Sequence, residues 1–276
     1  MSNIKYFNYI KEYGLILTFK LILRRLGIKI YPKIKYPLKS HNIQLKVYFK
    51  YFKWKNIEKG LWELNCINFF SRILKKNQII FDVGAWVGAY TLLFSKLTGL
   101  HGKVYAFEPD LKAFNVLHEN VKINKLSNII LENKALGDSE GISELFLFGG
   151  GGQSTSSLIQ HRKDSEMQVE KIITTTIDKY CEANNIHPDG LKIDVEGAES
   201  SVIEGCKNTI SRFSPWIVLE FHGDFMNEND RKKNWQNITK SSKKIIFLEG
   251  ESKNYRYGSF VKEFPDCNHF KVFIQY

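Results

Sequence analysis

The chain has 276 residues, 43% of them hydrophobic and 14% aromatic, enough for one large α/β domain or for a domain with an appendage. This composition excludes global disorder, and no stretch is long and apolar enough to span a bilayer. The formal charge of +11 concerns partners and solubility rather than fold: it suits an acidic glycan, a phosphorylated carrier, an anionic membrane surface or nucleic acid, and equally a surface that is simply lysine-rich.

The first predicted element runs from Lys5 to about Arg25, an amphipathic helix with Leu15, Phe19, Ile22 and Leu26 on one face and Gly27 as a stop. It can pack on the main domain or on a second subunit, or make peripheral contact with an anionic membrane; packing is the preferred reading. Its apolar run Leu15 to Leu23 carries Lys20 and precedes no small-residue cleavage site, so no secretory leader is expected. Tyr31 to Leu38, with Pro32 and Pro37, reads as a linker. Ile43 to Trp54 alternates and reads as a strand or hairpin. There Lys46, Lys50, Lys53 and Lys55 interleave with Tyr48, Phe49, Tyr51 and Trp54. Such a mixture can stack on bases or sugar rings, but a half-buried strand with a solvated lysine face is preferred. Residues 1–59 are therefore read as an N-terminal extension and 60–276 as the main domain.

From Gly60 the pattern becomes regular. It predicts a helix over Leu61 to Leu74, a strand over Ile79 to Val83, a helix over Gly88 to Leu97 and a strand over Val104 to Phe107. A helix over Leu111 to Ile123, opened by Pro109-Asp110, and a strand over Ile129 to Lys134 follow. A short strand at Leu145 to Phe148 leads into a Gly/Ser/Thr-rich mobile loop, Gly149 to Ser157. Next come a strand at Lys171 to Thr175, a helix at Ile177 to Glu182, a strand at Leu191 to Val195, one helix over Glu199 to Phe213, and strands at Ile217 to Phe221, Ile245 to Leu248 and Phe270 to Ile274. Alternation of strand and helix calls for a doubly wound, mostly parallel α/β sheet.

Ligands of such sheets bind outside the carboxyl ends of the strands, where the strand order reverses. Asp82, Glu108, Asp194, Glu220 and His222 all fall at or just beyond predicted strand ends. The turn Asp82-x-Gly84-x-x-x-Gly88 differs in spacing from the dinucleotide fingerprint, and its acid lies where a phosphate would sit. Like charges repel there, so a cationic, phosphate-free ligand fits better. With Glu108 at the end of the next strand to accept two ribose hydroxyls, the pattern points to S-adenosylmethionine. Asp82 is expected to orient the methionyl ammonium, Gly84 and Ala85 to let the backbone approach, and Ala135 and Leu136 to offer backbone groups to the adenine. The competing reading is that Gly84 and Gly88 only permit a tight turn. For Glu108 it is that of a helix N-terminal acid, a role better suited to Asp110.

A methyl acceptor with a hydroxyl must be aligned and lose its proton. Asp194, Glu196 and His222 are the candidate bases. His222 titrates near neutrality but reads equally well as a capping histidine, and Asp194 as a cap of the turn through Gly197. These acids with Glu220 and His222 also form a donor set suited to Mg²⁺ or another divalent cation, yet no dedicated metal spacing is present, so no metal is predicted. Gln153 to Ser157 reads as a polar substrate-recognition loop or an ordinary connection. Cys66, Cys181, Cys206 and Cys267 are scattered, with no clip or disulfide framework, which implies a reduced, cytoplasmic context.

The segments Phe81-Asp82-Val83-Gly84-Ala85, Ala106-Phe107-Glu108-Pro109, Asn133 to Asp138, Thr175 to Asp178, Leu191 to Glu199 and Leu219 to His222 resemble, in order and spacing, the FkbM family of methyltransferases. The resemblance covers about Gly60 to His222 and is most specific in Lys192-Ile193-Asp194-Val195-Glu196-Gly197-Ala198-Glu199. It implies a seven-stranded, Rossmann-like class I methyltransferase fold and S-adenosylmethionine-dependent O-methylation of a sugar, a glycan or a small natural product. The family usually has Asn where this chain has Trp86. Two alternatives stand beside this reading. One is an RNA ribose 2′-hydroxyl methyltransferase, suggested by the charge, although no RNA-binding signature is present and no nucleic-acid partner is expected. The other is a non-catalytic scaffold, suggested by Trp86 and opposed by the intact Asp82, Glu108 and Asp194.

Overall fold

The computed structural model describes residues 31–48, 54–148, 151–152, 154, 156–159 and 167–276. The expected N-terminal amphipathic helix lies outside the described residues, as do Phe49 to Lys53 of the Lys/aromatic stretch and parts of the Gly/Ser loop.

The described chain opens with an antiparallel pair, β1 (Lys33–Lys35) and β2 (Gln44–Lys46). The expected linker thus contains a strand. Each partner has a buried centre and two exposed ends, with Ile34 opposite Leu45, and Pro32 and Pro37 fall outside β1, where no ladder donor is needed. Then follow α1 (Lys55–Glu58), α2 (Leu64–Ile73), β3 (Ile79–Val83), α3 (Ala89–Thr98), β4 (Lys103–Phe107), α4 (Leu111–Ile123), β5 (Ile129–Glu132) and β6 (Ala135–Leu136). The chain continues through β7 (Gly141–Leu147), β8 (Gln168–Thr175), α5 (Ile177–Asn184), β9 (Gly190–Ile193), α6 (Glu199–Glu204), α7 (Lys207–Phe213) and β10 (Trp216–His222). It ends with α8 (Glu228–Thr239), β11 (Lys244–Gly250) and β12 (His269–Gln275).

Seven strands form one sheet in the order β11-β12-β10-β9-β3-β4-β5. The five from β10 to β5 run parallel, and β12 pairs antiparallel with both β10 and β11. The chain moves outward from β3 to β5, then returns to lay β9 on the other side of β3. The order therefore reverses between β3 and β9, and their carboxyl ends frame the crevice. A smaller sheet, β6-β8-β7, stands beside it.

Strand alternation divides the core into two layers. Ile80, Val104 and Ala106 pack with Leu92, Leu93 and Phe94 of α3 and Leu117 of α4, together with Phe70, Tyr36, Leu45 and Trp54. Phe81, Val83, Leu191, Ile193 and Leu219 pack on the other face with Tyr180, Val202, Ile210 and Trp235. Side chains such as Phe81 and Leu93 are fully buried, and each contributes roughly 1.5–3 kcal/mol by leaving water. The 31–58 segment is fastened to the first layer. Tyr36 donates to the Ala89 carbonyl at 2.5 Å, and Asn124 exchanges two hydrogen bonds with the Lys46 backbone.

Two expected elements differ. The single helix over Glu199 to Phe213 is two helices, interrupted at Gly205 and Cys206. Gly205 passes so close to Gly137 that a Cβ there would stand 1.9 Å from the Gly137 carbonyl oxygen. Helix α8 is absent from the sequence reading because its apolar signal is thin: only Trp235 and Ile238 are buried, and Asn227 caps it by accepting from the Asp230 N–H. Among the described residues, no helix is long and apolar enough to cross a membrane.

Candidate active site

The crevice begins at the turn after β3. Gly84 (φ +74°) and Ala85 both donate their N–H groups to the Phe107 carbonyl, which ties the turn to β4. A Cβ on Gly84 would lie 1.8 Å from the Asp194 carbonyl oxygen, so glycine alone lets β3 and β9 meet here. Gly88 (φ +93°) caps α3 against Leu117. Gly84, Trp86, Glu108, Pro109, Ala135, Leu136, Leu158, Asp194 and Glu196 line one cleft along the strand ends. Of the residues expected to hold a cofactor, the structure thus brings Gly84, Glu108, Ala135 and Leu136 to the cleft wall, while Ala85 and Gly88 support the turn behind it.

Glu108 is 6% exposed, and both of its carboxylate oxygens accept backbone N–H groups: Oε1 from Asp110 at 2.9 Å and Oε2 from Trp86 at 2.7 Å. Burial pushes its pKa up to about 8, against the pull of those two donors. Asp110, not Glu108, caps α4, accepting from the Lys112 and Ala113 N–H groups. Its second oxygen accepts from the Gly152 N–H and the Ser156 hydroxyl, at 2.5 and 2.9 Å, and so pins the Gly/Ser loop beside the cleft. Trp86, in a left-handed conformation (φ +46°), donates its indole N–H to the Gly152 carbonyl, and the Ser157 hydroxyl donates to the Glu196 carbonyl. Trp86 therefore ties the loop to the turn, a contact that spacing along the chain does not reveal.

Asp82 is fully buried behind the cleft wall. It accepts from the Thr91 hydroxyl at 2.6 Å and faces the Lys192 ammonium at 3.5 Å. The reason is register: Asp82 of β3 stands opposite Lys192 of β9, on the same face of the sheet. Lys192 also reaches Asp194 at 3.1 Å and the Gly84 carbonyl at 2.9 Å. Burial works against its charge, but Asp194 and Asp82 override burial and hold its pKa above the ordinary lysine value.

Beyond the end of β9, Asp194 and Glu196 of the cleft wall converge on His222. His222 Nδ1 lies 2.8 Å from Glu199 Oε1, and its Nε2 lies 3.7 Å from Glu196, 3.9 Å from Asp194 and 3.9 Å from Glu220. Burial opposes the imidazolium, but Glu199 and then Asp194 and Glu196 raise its pKa to about 10. Burial likewise pushes Glu196 up to about 7, with His222 pulling it down. Glu196 has left-handed backbone (φ +53°), the kind of local strain that concentrates at functional sites. Next to this group, Glu220 receives hydrogen bonds from His269, at 2.6 Å, and from Lys271, which also meets Glu63 at 2.8 Å. Here too register decides: Glu220 stands opposite Lys271, and His222 opposite His269. His269 and Lys271 lie about fifty residues from their partners, beyond the reach of any local motif.

The proteins most informative for comparison are methyltransferases. Ribosomal protein L11 methyltransferase of Caldanaerobacter subterraneus subsp. tengcongensis is 32% identical over 83 residues, which cover 30% of this chain and 26% of that protein. The crystal structure of methyltransferase FkbM from Methylobacillus flagellatus KT superposes with a TM-score of 0.48 at 16% identity, over 76% of this chain and 47% of that one. Aeropyrum pernix fibrillarin, with natively bound S-adenosyl-L-methionine, superposes with a TM-score of 0.43 at 13% identity, over 74% of this chain and 68% of that one. The chain thus spans about a quarter of that L11 methyltransferase and about half of that FkbM methyltransferase. The model of the methyltransferase FkbM domain matches residues 82–257, from Asp82 through the whole cleft to beyond β11, and the chain accordingly belongs to the FkbM family of S-adenosylmethionine-dependent methyltransferases.

Proposed function

We propose that the protein is an S-adenosylmethionine-dependent O-methyltransferase whose acceptor is a hydroxyl of a sugar, a glycan or a small natural product. The observation that carries this reading is that one cleft is lined both by Glu108, at the end of β4, and by Asp194 and Glu196, just beyond β9.

The residues present fit the cofactor. Glu108 is held by two backbone donors and presents a carboxylate for the ribose hydroxyls. Gly84 allows close approach, Pro109, Leu136 and Leu158 offer apolar surface for a purine, and the acids Asp194 and Glu196 suit a cationic methionyl group. Bound there, the cofactor supplies a methyl group activated by a positively charged sulfur. The chain's own part is to align the acceptor, exclude water beneath the loop pinned by Asp110 and Trp86, and accept the hydroxyl proton on a carboxylate oxygen of the Asp194/Glu196 pair. His222, fixed by Glu199, holds those carboxylates in place.

Calorimetric titration with S-adenosylmethionine and S-adenosylhomocysteine, beside Glu108→Ala, tests the cofactor half. Transfer of labelled methyl to a panel of glycans and small polyols tests the acceptor half. Binding lost in Glu108→Ala together with labelling of a hydroxyl supports the reading. A folded protein that binds neither ligand overturns it.

A further inference from the structure

We propose that Asp194, Glu196 and His222 form a binding site for a divalent transition-metal ion of the Mn²⁺, Fe²⁺ or Zn²⁺ type, set at the acceptor end of the cleft. Whether the ion serves methyl transfer rests on the function proposed above; the site itself does not.

The geometry carries the inference. One ligand atom from each residue, an oxygen from each acid and a ring nitrogen from His222, lies within 4.8 Å of the other two. His222 Nε2 is 3.7 Å from Glu196 Oε2 and 3.9 Å from Asp194 Oδ1, too long for hydrogen bonds. Donors each about 2.1–2.2 Å from one ion lie roughly 3–3.8 Å apart, depending on the angle between them. The two His222 distances stand at and just above the upper end of this range, so the three groups face one another across a gap that a small inward shift would close around an ion.

A second, independent observation concerns the imidazole. His222 Nδ1 lies 2.8 Å from Glu199 Oε1, which aims Nε2 at the two acids. This carboxylate–histidine arrangement is how proteins fix the tautomer and orientation of a metal-ligating histidine. Glu199 is itself fully buried, and its Oε2 has no hydrogen-bond partner among the described residues. A buried, incompletely satisfied carboxylate is costly, and it is retained here behind the one imidazole of the cluster.

The chemistry of the donors selects the ion. Mixed imidazole and carboxylate ligands suit Mn²⁺, Fe²⁺ and Zn²⁺ better than Mg²⁺ or Ca²⁺, which favour oxygen alone. Asp194 and Glu196 line the cleft, so the remaining coordination positions open toward the acceptor. An ion there polarises and orients a coordinated hydroxyl, and the second oxygen of Glu196 remains to take its proton.

The test is a Mn²⁺ titration of chelator-stripped protein, followed by loss of the free-ion electron paramagnetic resonance signal. Glu196→Gln, His222→Gln and Glu199→Gln are run beside wild type, with the exposed Glu251→Gln as control. One ion per chain is expected, bound at least about tenfold more weakly in the three site variants and unchanged in the control. Nitrogen coupling to Mn²⁺ in the wild-type spin-echo spectrum is expected as well, and it decides the matter even where a variant fails to fold. Absence of a bound ion in the wild type overturns the site, and so does equal binding by folded variants. Titration with S-adenosylhomocysteine on the same sample separates the two proposals: Mn²⁺ binding without it retains the metal site and sinks the methyltransferase reading, while the reverse does the opposite.

Discussion

With Glu108 as the proposed ribose ligand, cofactor affinity is expected to depend on pH in a direction and size that follow from its surroundings. A ribose hydroxyl donates to an ionised carboxylate, whereas burial has pushed the Glu108 pKa up to about 8. At pH 6.5 about 3% of such a group is ionised, and at pH 8.5 about three-quarters. The affinity for S-adenosylhomocysteine should therefore rise about 25-fold over these two units. The assay is calorimetry at half-unit steps, with Glu108→Gln in parallel. Glu196, pushed up to about 7, shares the cleft, so the decisive quantity is the difference between the two profiles. The same shift acts on stability with a definite sign. The folded value lies above the ordinary 4.5, so the neutral form stabilises the fold fully below that value, and the contribution is lost as pH rises through 8. Between pH 5 and 8 the ligand-free wild type should lose about 1.4 kcal/mol per pH unit relative to Glu108→Gln in urea unfolding. A flat affinity profile in the wild type, or an equal slope in the variant, would refute the assignment of Glu108.

Three further outcomes are expected. Gly84→Ala places a Cβ 1.8 Å from the Asp194 carbonyl oxygen in a left-handed conformation; it should cost upwards of about 3 kcal/mol in urea unfolding and abolish S-adenosylhomocysteine binding. Asp110→Ala removes the α4 cap and the anchor of the Gly/Ser loop, so a loss of about 1–2 kcal/mol and faster proteolysis near residues 151–157 are expected, whereas unchanged cleavage would show that the loop is held by other means. Lys192→Met leaves two acids facing each other without their shared cation; thermal unfolding should report a loss of about 3–5 kcal/mol, and a neutral result would mean that Asp82 is protonated in the fold.

What the sequence reveals depends on how local the cause is. Strand β3 and helix α4 are read to the residue, because an apolar run ending in Asp82 and a cap at Asp110 are local signals. Glu108 and the Asp194/Glu196 pair are legible for the same reason: they sit at strand ends, and strand ends of a doubly wound sheet are where ligands bind. Helix α8 escapes because the apolar stripe of a nearly solvated helix is too thin to see. The break at Gly205 escapes because it depends on the approach of Gly137, almost seventy residues earlier. Asp82 is the instructive case. Its type and position suit a cofactor contact, and the structure adds what the sequence does not show: the side chain is buried, with Thr91 and Lys192 as its partners, and Lys192 links it to Asp194. Which face an acid takes is fixed by strand parity, and its partner by the register of a strand more than a hundred residues away.

That register also explains how a chain of charge +11 comes to have an acidic site. Two buried lysines on different strands, Lys192 of β9 and Lys271 of β12, each hold two acids: Asp82 and Asp194 in one case, Glu63 and Glu220 in the other. Burying these charges costs solvation, but it fixes the orientation of four carboxylates before any ligand arrives, which is the preorganisation that catalytic electrostatics needs. Glu196 and Glu199 remain, with His222 between them. The side of the cleft lined by Asp194 and Glu196 therefore carries an excess of acid, although the protein as a whole carries an excess of base. A phosphate-bearing acceptor would bring like charge to that rim, whereas a neutral polyol or a cation would not. The local charge at Asp194 and Glu196, rather than the net charge of the whole chain, is what favours a neutral glycan or a small polyol as the acceptor we propose.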